Sequence, residues 1–494
     1  MSYSPSPPLI LTLDIGTSSA RAMLFDAAGR AVPGCRAQTP HTLHTTPGGG
    51  ATFDPQTLLE GITAAIDRLL AQAGPLATHI GAVGMASLVA NLMGVDEADR
   101  PVTPLYTYAD TRCAPDADRL RRERAAEAEA IHRRTGCPIH SAYLPARFLW
   151  LERTRPDALQ AAARWVSIGE YLYRQWFGRW GVTYSVASWT GLFDPHTLRW
   201  DADWLARLPL DERHLSPLVD ADEPFSGLRE PWATRWPALR RVPWFPAVGD
   251  GAAANIGSGC AGPAQVALTI GTSGAMRVTL TGKPPSPPPG LWLYRLDRRR
   301  TLLGGATTEG GNVYRWLRQT LQLPPPDALE AALANMPPAA HGLTILPFLA
   351  GERAPGWRDD ARAAILGLSL HTRPLDIVRA ALEGVAYRFA LIHRRLRPHL
   401  PAEHRLIAGG GAVLRSPAWR QILADALGCP LVTLAEEEVT ARGVALLALE
   451  GLGVIADASA LPPATGQTHL PNPDHHARYR QAIEAQEEAY RRLV

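Results

Sequence analysis

The stretch "LTLDIGTSSARAMLFD", residues 11–26, decides the fold. An apolar β-type run from Leu9 to Leu13 ends in Asp14, turns on Ile15-Gly16-Thr17-Ser18-Ser19, and leaves as a second apolar run, Ala22 to Phe25. Alone it reads as a β-hairpin with a polar tip. The pattern returns at 267–280 as "ALTIGTSGAMRVTL", with the same Ile-Gly-Thr-Ser turn between two strand patterns. Gly16 and Gly271 are 271 − 16 = 255 residues apart, close to half of the 494-residue chain, which points to a duplicated domain. The copies differ at one telling position, where Asp14 of the first is Thr269 of the second. A charge present once suggests a job done once.

A Gly-Thr-Ser turn between strands presents backbone N–H groups and hydroxyls toward one point, a lining suited to phosphate oxygens. Thr17 and Ser18 supply it in the first copy, and Gly271, Thr272 and Ser273 in the second. Two such turns facing across a cleft could hold the phosphates of one nucleotide, with Asp14 placed to anchor Mg2+. Each turn taken singly is still compatible with a plain hairpin.

Other stretches carry two readings each. "RLIAGGGAVLRSPAWRQILADALG" at 405–428 is a strand, a glycine run and a helix, so Gly410 and Gly411 admit a flat ring or serve a tight loop. "GGATTEGGNVYRWL" at 304–317 makes a similar junction at Gly311. In "PAVGDGAAANIGSG", residues 246–259, Asp250 is either an Asp-Gly turn or a proton acceptor reaching into a cleft. Asp110 and Arg112 of "PLYTYADTR" share one face if extended, to meet a polyhydroxylated or anionic substrate or to form a surface ion pair. No GxxxxGK[ST] occurs, and "GSGCAG" at 257–262 lacks the preceding strand that a dinucleotide fingerprint needs.

The length implies at least two large domains, and the alternation of strands with amphipathic helices implies α/β layers. Helices are expected after the Asp54-Pro55 cap, over 116–134, and at 312–321, 374–396, 417–427 and 440–449; "HIGAVGM" at 79–85 reads as a buried strand. "KPPSPPPG" at 283–290 reads as an exposed, extended loop. A net charge of +3 with dispersed Lys and Arg gives nucleic acid no footprint. Five scattered cysteines without a CxxC pair fit a reducing compartment, the histidines show no metal-ligand spacing, and no long apolar run suggests a membrane span. No signal peptide is read at the N-terminus, so a cytoplasmic location is expected.

Together these stretches resemble the FGGY family of carbohydrate kinases, in the actin-like superfamily, from about Leu9 to Leu449. The parts come in family order: "DIGTSSAR", "YADTR", "TYSVASWTGLFD", "GDGAAANIGSG", "IGTSGA", "GERAPGWRDDARAAILGL" with "RAALEGVAYR", then "AGGGAVLRSPAWRQILADALG". The resemblance implies two ribonuclease H-like domains, 1–246 and 247–494, with the active site in the cleft between them. It makes Asp250 the general base and Asp14 the Mg2+ organiser. Thr17, Ser18, Gly271, Thr272 and Ser273 would line the phosphates, Arg21 would lie near the transferred phosphoryl, and Gly311, Gly410 and Gly411 would line the adenosine.

Within the family the chain looks most like gluconokinase-like members, so gluconate is the first substrate expected and Asp110 would touch the sugar. Such members carry a Phe-Trp-His-Ser run where this chain has Leu88-Val89-Ala90-Asn91, and a small residue where it has Trp189. Val89, Asn91 and Trp189 are therefore candidate substrate-pocket residues, and Arg112 joins Asp110 as a candidate substrate contact. The alternatives are a pentulose or polyol kinase (xylulose, ribulose, erythritol or glycerol) and a non-catalytic actin-like ATP-binding protein. A homodimer is left open.

Overall fold

In a computed structural model, which describes residues 4–494, the opening hairpin is formed by β1 (Leu9–Ile15) and β2 (Ser19–Phe25). Asp14 lies opposite Arg21 in their antiparallel register. All of β1 is buried, as a strand covered on both faces must be, and its near-continuous apolar run follows from that. β3 (Ala31–Pro40) pairs antiparallel with β2. Helix α1 (Pro55–Ala73) starts where the Asp54 side chain accepts the Thr57 N–H at 2.7 Å. It buries Leu58, Leu59, Ile62, Ile66 and Leu69 and returns the chain to β4 (Ile80–Ser87), parallel to β1. After a long excursion, β5 (Val248–Gly249) joins parallel to β4 and runs into α2 (Asp250–Gly257).

The second half restates this plan. β6 (Gln265–Ile270) and β7 (Gly274–Thr281) form the second hairpin; β8 (Trp292–Arg295) and β9 (Arg300–Thr307) follow. Then come α3 (Gly311–Thr320), α4 (Pro374–Leu396), β10 (Arg405–Gly409), α5 (Pro417–Leu427), β11 (Leu431–Leu434), α6 (Val439–Gly451) and β12 (Thr465–His469). The strand orders are β5-β4-β1-β2-β3 and β8-β9-β7-β6-β10-β11-β12. Without its edge strands β8 and β12, the second sheet repeats the first strand for strand. The directions agree too, with two antiparallel and two parallel pairings in each. The duplication is in the topology as well as in the turns.

The halves are joined through backbone. A Cβ on Gly257 of α2 would lie 1.8 Å from the Val439 carbonyl, and one on Gly443 of α6 would lie 1.8 Å from the Ala253 carbonyl. α6 also lies against the first sheet, where a Cβ on Gly84 would lie 2.7 Å from Val444 Cγ1. The first sheet thus extends past residue 246 through β5, and a helix of the second half covers part of it. Gly443→Ala must push these helices apart and is expected to cost about 1–3 kcal/mol. A urea midpoint unchanged from the parent would contradict the contact.

Two expectations need correction. The charged stretch 116–134 forms two helices, Ala114–Glu123 and Ala128–Thr135, because no large apolar side chain between Leu120 and Ile131 anchors the intervening turn. The proline-rich loop at 283–290 has no regular structure, yet Pro284 and Pro287 are buried; its Gly290 carbonyl accepts the Trp357 indole N–H at 2.8 Å.

Candidate active site

The site forms where the parallel strands end, the usual place for ligands on open α/β sheets. Asp14 sits one residue from the end of β1 and Asp250 directly follows β5, with β4 between them. Their backbones are therefore about two strand spacings, roughly 10 Å, apart. Asp14 is only 7% exposed. Burial and the facing Asp250 push its carboxyl up to about 7, against the pull of Arg21. Arg21 divides itself between Asp14 and Glu438, both at 3.4 Å, and Glu438 also binds Arg36 at 2.7 Å. Desolvation raises Asp250 as well, while the Gly251 N–H, donating to its Oδ1 at 2.7 Å, and Arg277 oppose the rise.

Each turn is braced by its own glycine. The Gly16 N–H donates to the Ser19 carbonyl at 3.0 Å and the Gly271 N–H to the Ser273 carbonyl at 2.9 Å. The amides of Thr17, Ser18, Thr272 and Ser273 make no hydrogen bond among the described residues. Four free donors in two tight turns are a fitting lining for phosphate oxygens.

The second turn separates two cavities. One, of about 760 Å³, is lined by Gly271, Thr272, Gly311, Tyr314, Gly411 and Trp419, among others. Here the Gly311 and Asn312 amides donate to the Gly271 and Thr272 carbonyls at 2.8 and 3.0 Å, docking α3 on the turn. A Cβ on Gly311 would strike the Gly271 carbonyl at 2.6 Å. Gly410, at φ +92°, comes equally close to the Ile270 carbonyl and shapes the loop without lining the cavity. Arg315, Arg318 and Arg415 add positive charge to this cavity's wall. It suits a nucleotide.

The other cavity, of about 240 Å³, contains Asp250 and Ser273. Its wall is aromatic: Trp189 lies 4.0 Å from Tyr294 between ring centroids, Tyr294 stacks on Trp292 at 4.2 Å, and Tyr143 and Trp357 contribute further. The Trp189 indole N–H and Arg277 Nε are buried without a partner among the described residues. Arg277 and Arg353 both line the cavity; Arg277 Nη2 donates to Thr269 Oγ1 at 3.2 Å and Arg353 Nη2 to the Thr307 carbonyl at 2.8 Å. An aromatic wall with unspent donors is suited to a small polyhydroxylated molecule.

The substrate-contact expectations divide. Val89 and Trp189 line this cavity. Asn91 does not; its Oδ1 accepts the Ile168 N–H at 2.8 Å and its Nδ2 donates to the Leu88 carbonyl at 2.6 Å, so it braces the loop behind Val89. Asp110 and Arg112 do not line it either. Asp110, 1% exposed, is held by Arg112 at 2.5 Å and by Arg147 at 3.0 Å, and it accepts the Ala51 N–H at 3.2 Å. Asp110 is the buried centre of an ion cluster with Arg147 and a half-buried Arg112, because Arg147 from a neighbouring helix takes the carboxylate that an extended strand would have left free.

Arg277, Arg353, Glu438 and Tyr294 were not singled out from sequence. A trace of Arg277 lay in the repeat: aligned on the glycines, Arg21 matches Met276, so the arginines stand one residue out of step and on opposite faces of equivalent strands.

Twin sheets, twin phosphate-type turns and paired aspartates at the strand ends define a two-domain kinase of the actin-like ATPase fold. The chain belongs to the FGGY family of carbohydrate kinases, whose N-terminal domain matches residues 9–257 and whose C-terminal domain matches residues 266–451. It is 30% identical over 485 residues to a gluconokinase of Bacillus subtilis (strain 168), covering 95% of this chain and 93% of that protein. Among solved structures it is similar to a gluconate kinase from Lactobacillus acidophilus, with TM-score 0.90 and 26% identity over 99% of this chain and 98% of that one. A xylulose kinase from the same organism, with its ligand bound, matches at TM-score 0.89 and 26% identity over 98% of each chain. The enzyme is thus a carbohydrate phosphotransferase, and FGGY kinases use ATP as the phosphate donor. Among the described residues no helix is long and apolar enough to cross a membrane, and all five cysteines are free and buried.

Proposed function

We propose that this enzyme transfers the γ-phosphoryl of ATP to a hydroxyl of a sugar acid, gluconate first. The observation that carries this reading is Arg353 in the aromatic cavity that also holds Asp250. A guanidinium there can pair with a substrate carboxylate while Asp250 accepts the proton of the attacking hydroxyl. ATP would lie across the second turn, its base in the larger cavity and its phosphates on the free turn amides. Asp14 and Asp250, two acids facing one another in a desolvated cleft, fit a divalent cation. Mg2+ bound there would supply charge to neutralise the phosphoryl oxygens. Closure of the cleft would exclude water, which competes with the sugar hydroxyl.

A panel of gluconate, xylulose, ribulose, erythritol and glycerol, assayed by ADP release, tests the reading. Gluconate is expected to give the highest kcat/KM. Arg353→Met is expected to lower kcat/KM for gluconate about 10- to 100-fold, the worth of a charge-assisted hydrogen bond, and to spare uncharged substrates. An equal loss on gluconate and on uncharged substrates would refute the carboxylate role. A pentulose is the second reading, favoured by the small cavity and its apolar Val89–Ala90 edge; a preference for xylulose or ribulose in the same panel would establish it.

A further inference from the structure

Far from the cleft, three residues remote in sequence meet. His393 lies in the last turn of α4, His404 just ahead of β10, and Cys429 between α5 and β11. Two ring nitrogens and the thiol sulfur all lie within 4.8 Å of one another, and all three side chains are buried. The Nε2 atoms of the two histidines face each other at 2.8 Å. We propose that His393, His404 and Cys429 form a binding site for a zinc-class transition-metal cation, with water or His476 as the fourth ligand.

The donor set suits such an ion. Two imidazoles and one thiolate are borderline-soft ligands of the kind that select Zn2+ over Mg2+. The surrounding contacts orient them. His404 Nδ1 lies 2.9 Å from the Pro401 carbonyl, so an Nδ1–H donated there leaves the Nε2 lone pair aimed at the centre. Arg397 Nη1 also lies 2.9 Å from that Nδ1 and would give way into the cavity it lines when the metal form sets the tautomer. The Cys429 thiol donates to the His404 carbonyl at 3.3 Å, which keeps the sulfur beside that ring. His476 binds the Asp425 carbonyl through Nδ1 at 2.8 Å, leaving Nε2 available.

An opening exists as well. A cavity of about 420 Å³ is lined by all three residues together with His476, Arg480 and Glu484. On binding, the thiol sulfur would form a bond to the metal and release its proton to solvent. The proton held between the two Nε2 atoms would pass through solvent to the Nδ1 of its own ring as two metal–nitrogen bonds replace that hydrogen bond. The site lies at the start of β10, whereas the chain leaving its far end reaches the nucleotide cavity at Gly411. Its cation would fasten α4, β10 and the α5–β11 loop together and take no part in phosphoryl transfer. The inference is independent of the proposed substrate.

The test uses full-length enzyme, stripped with chelator and titrated with Co2+ without nucleotide. The expected result is a near-ultraviolet sulfur-to-cobalt charge-transfer band with intense visible bands of four-coordinate cobalt, displaced by Zn2+, and a higher Tm with Zn2+ present. Cys429→Ser should abolish the charge-transfer band, and His404→Gln should weaken binding about tenfold or more. Asp14→Asn should retain the band, separating this site from the cleft. Far-UV circular dichroism and retained kinase turnover show that Cys429→Ser is folded. No cobalt binding, binding without the charge-transfer band, or a band that survives in Cys429→Ser would each overturn the proposal.

Discussion

Asp250→Ala is expected to lower kcat by about 10²–10⁴, the scale of a lost general base. The side chain lies in the cavity with Ser273 and the aromatic wall, at the first residue of a helix that begins directly from a strand end. Nothing in this arrangement recruits it for the core, so the loss should fall on turnover and leave folding intact. Desolvation raises its carboxyl, so the base is protonated at a higher pH than an ordinary aspartate. The acid limb of the pH–rate profile should therefore lie above the usual carboxylate range and vanish in the variant. Near-normal turnover in Asp250→Ala would end the assignment.

Asp14→Asn carries the second large effect, with opposite signs for activity and stability. Removing the charge that faces the phosphate turns is expected to abolish Mg2+-dependent turnover. In chelator at pH 8 the same variant should melt higher than the parent. The sign follows from the raised carboxyl: folded Asp14 titrates near 7, above the unfolded 3.8. Holding the ionised form therefore costs nothing below the unfolded value, costs more between the two, and reaches its full cost above about 7. Asparagine removes that cost, so the gain should be present at pH 8 and fade toward pH 4. A Tm that does not rise at pH 8, or Mg2+ dependence identical to that of the parent, would count against the role given to Asp14.

The elements were legible in sequence wherever local chemistry sets them. Asp54-Pro55 and Ser416-Pro417 mark helix starts because a side-chain acceptor and a ring without an N–H both favour that position; Ser416 accepts the Trp419 N–H as the pair implies. The two turns were legible because the same residues recur at half-length spacing. What could not be read was chemistry assembled across the fold. Asp110 and Arg112 looked like a free pair because Arg147, distant in sequence, was not in view. Asn91 sat in a specificity stretch, yet the Ile168 amide claims its oxygen. Arg277 and Arg353 reach the same cavity from β7 and from a loop, and no spacing within either segment announces that meeting. The histidines lacked metal spacing for the same reason: His393, His404 and Cys429 are joined by the packing of α4, β10 and α5, which no local run encodes.

The contact between Gly257 and Gly443 also bears on how the cleft can work. Interlocked side chains would make the two halves move in notches, each step lifting one row of knobs over another. Here two backbones touch with no side chain between them, Gly257 closing the helix that Asp250 opens and Gly443 about one turn into α6 behind Glu438. Such a joint is expected to turn through small angles with few side chains to repack, Ala253 and Val444 among them. Because Asp250 opens α2 straight from β5, a small rotation at the joint is expected to move the second half while Asp250 keeps its place at the end of the first sheet.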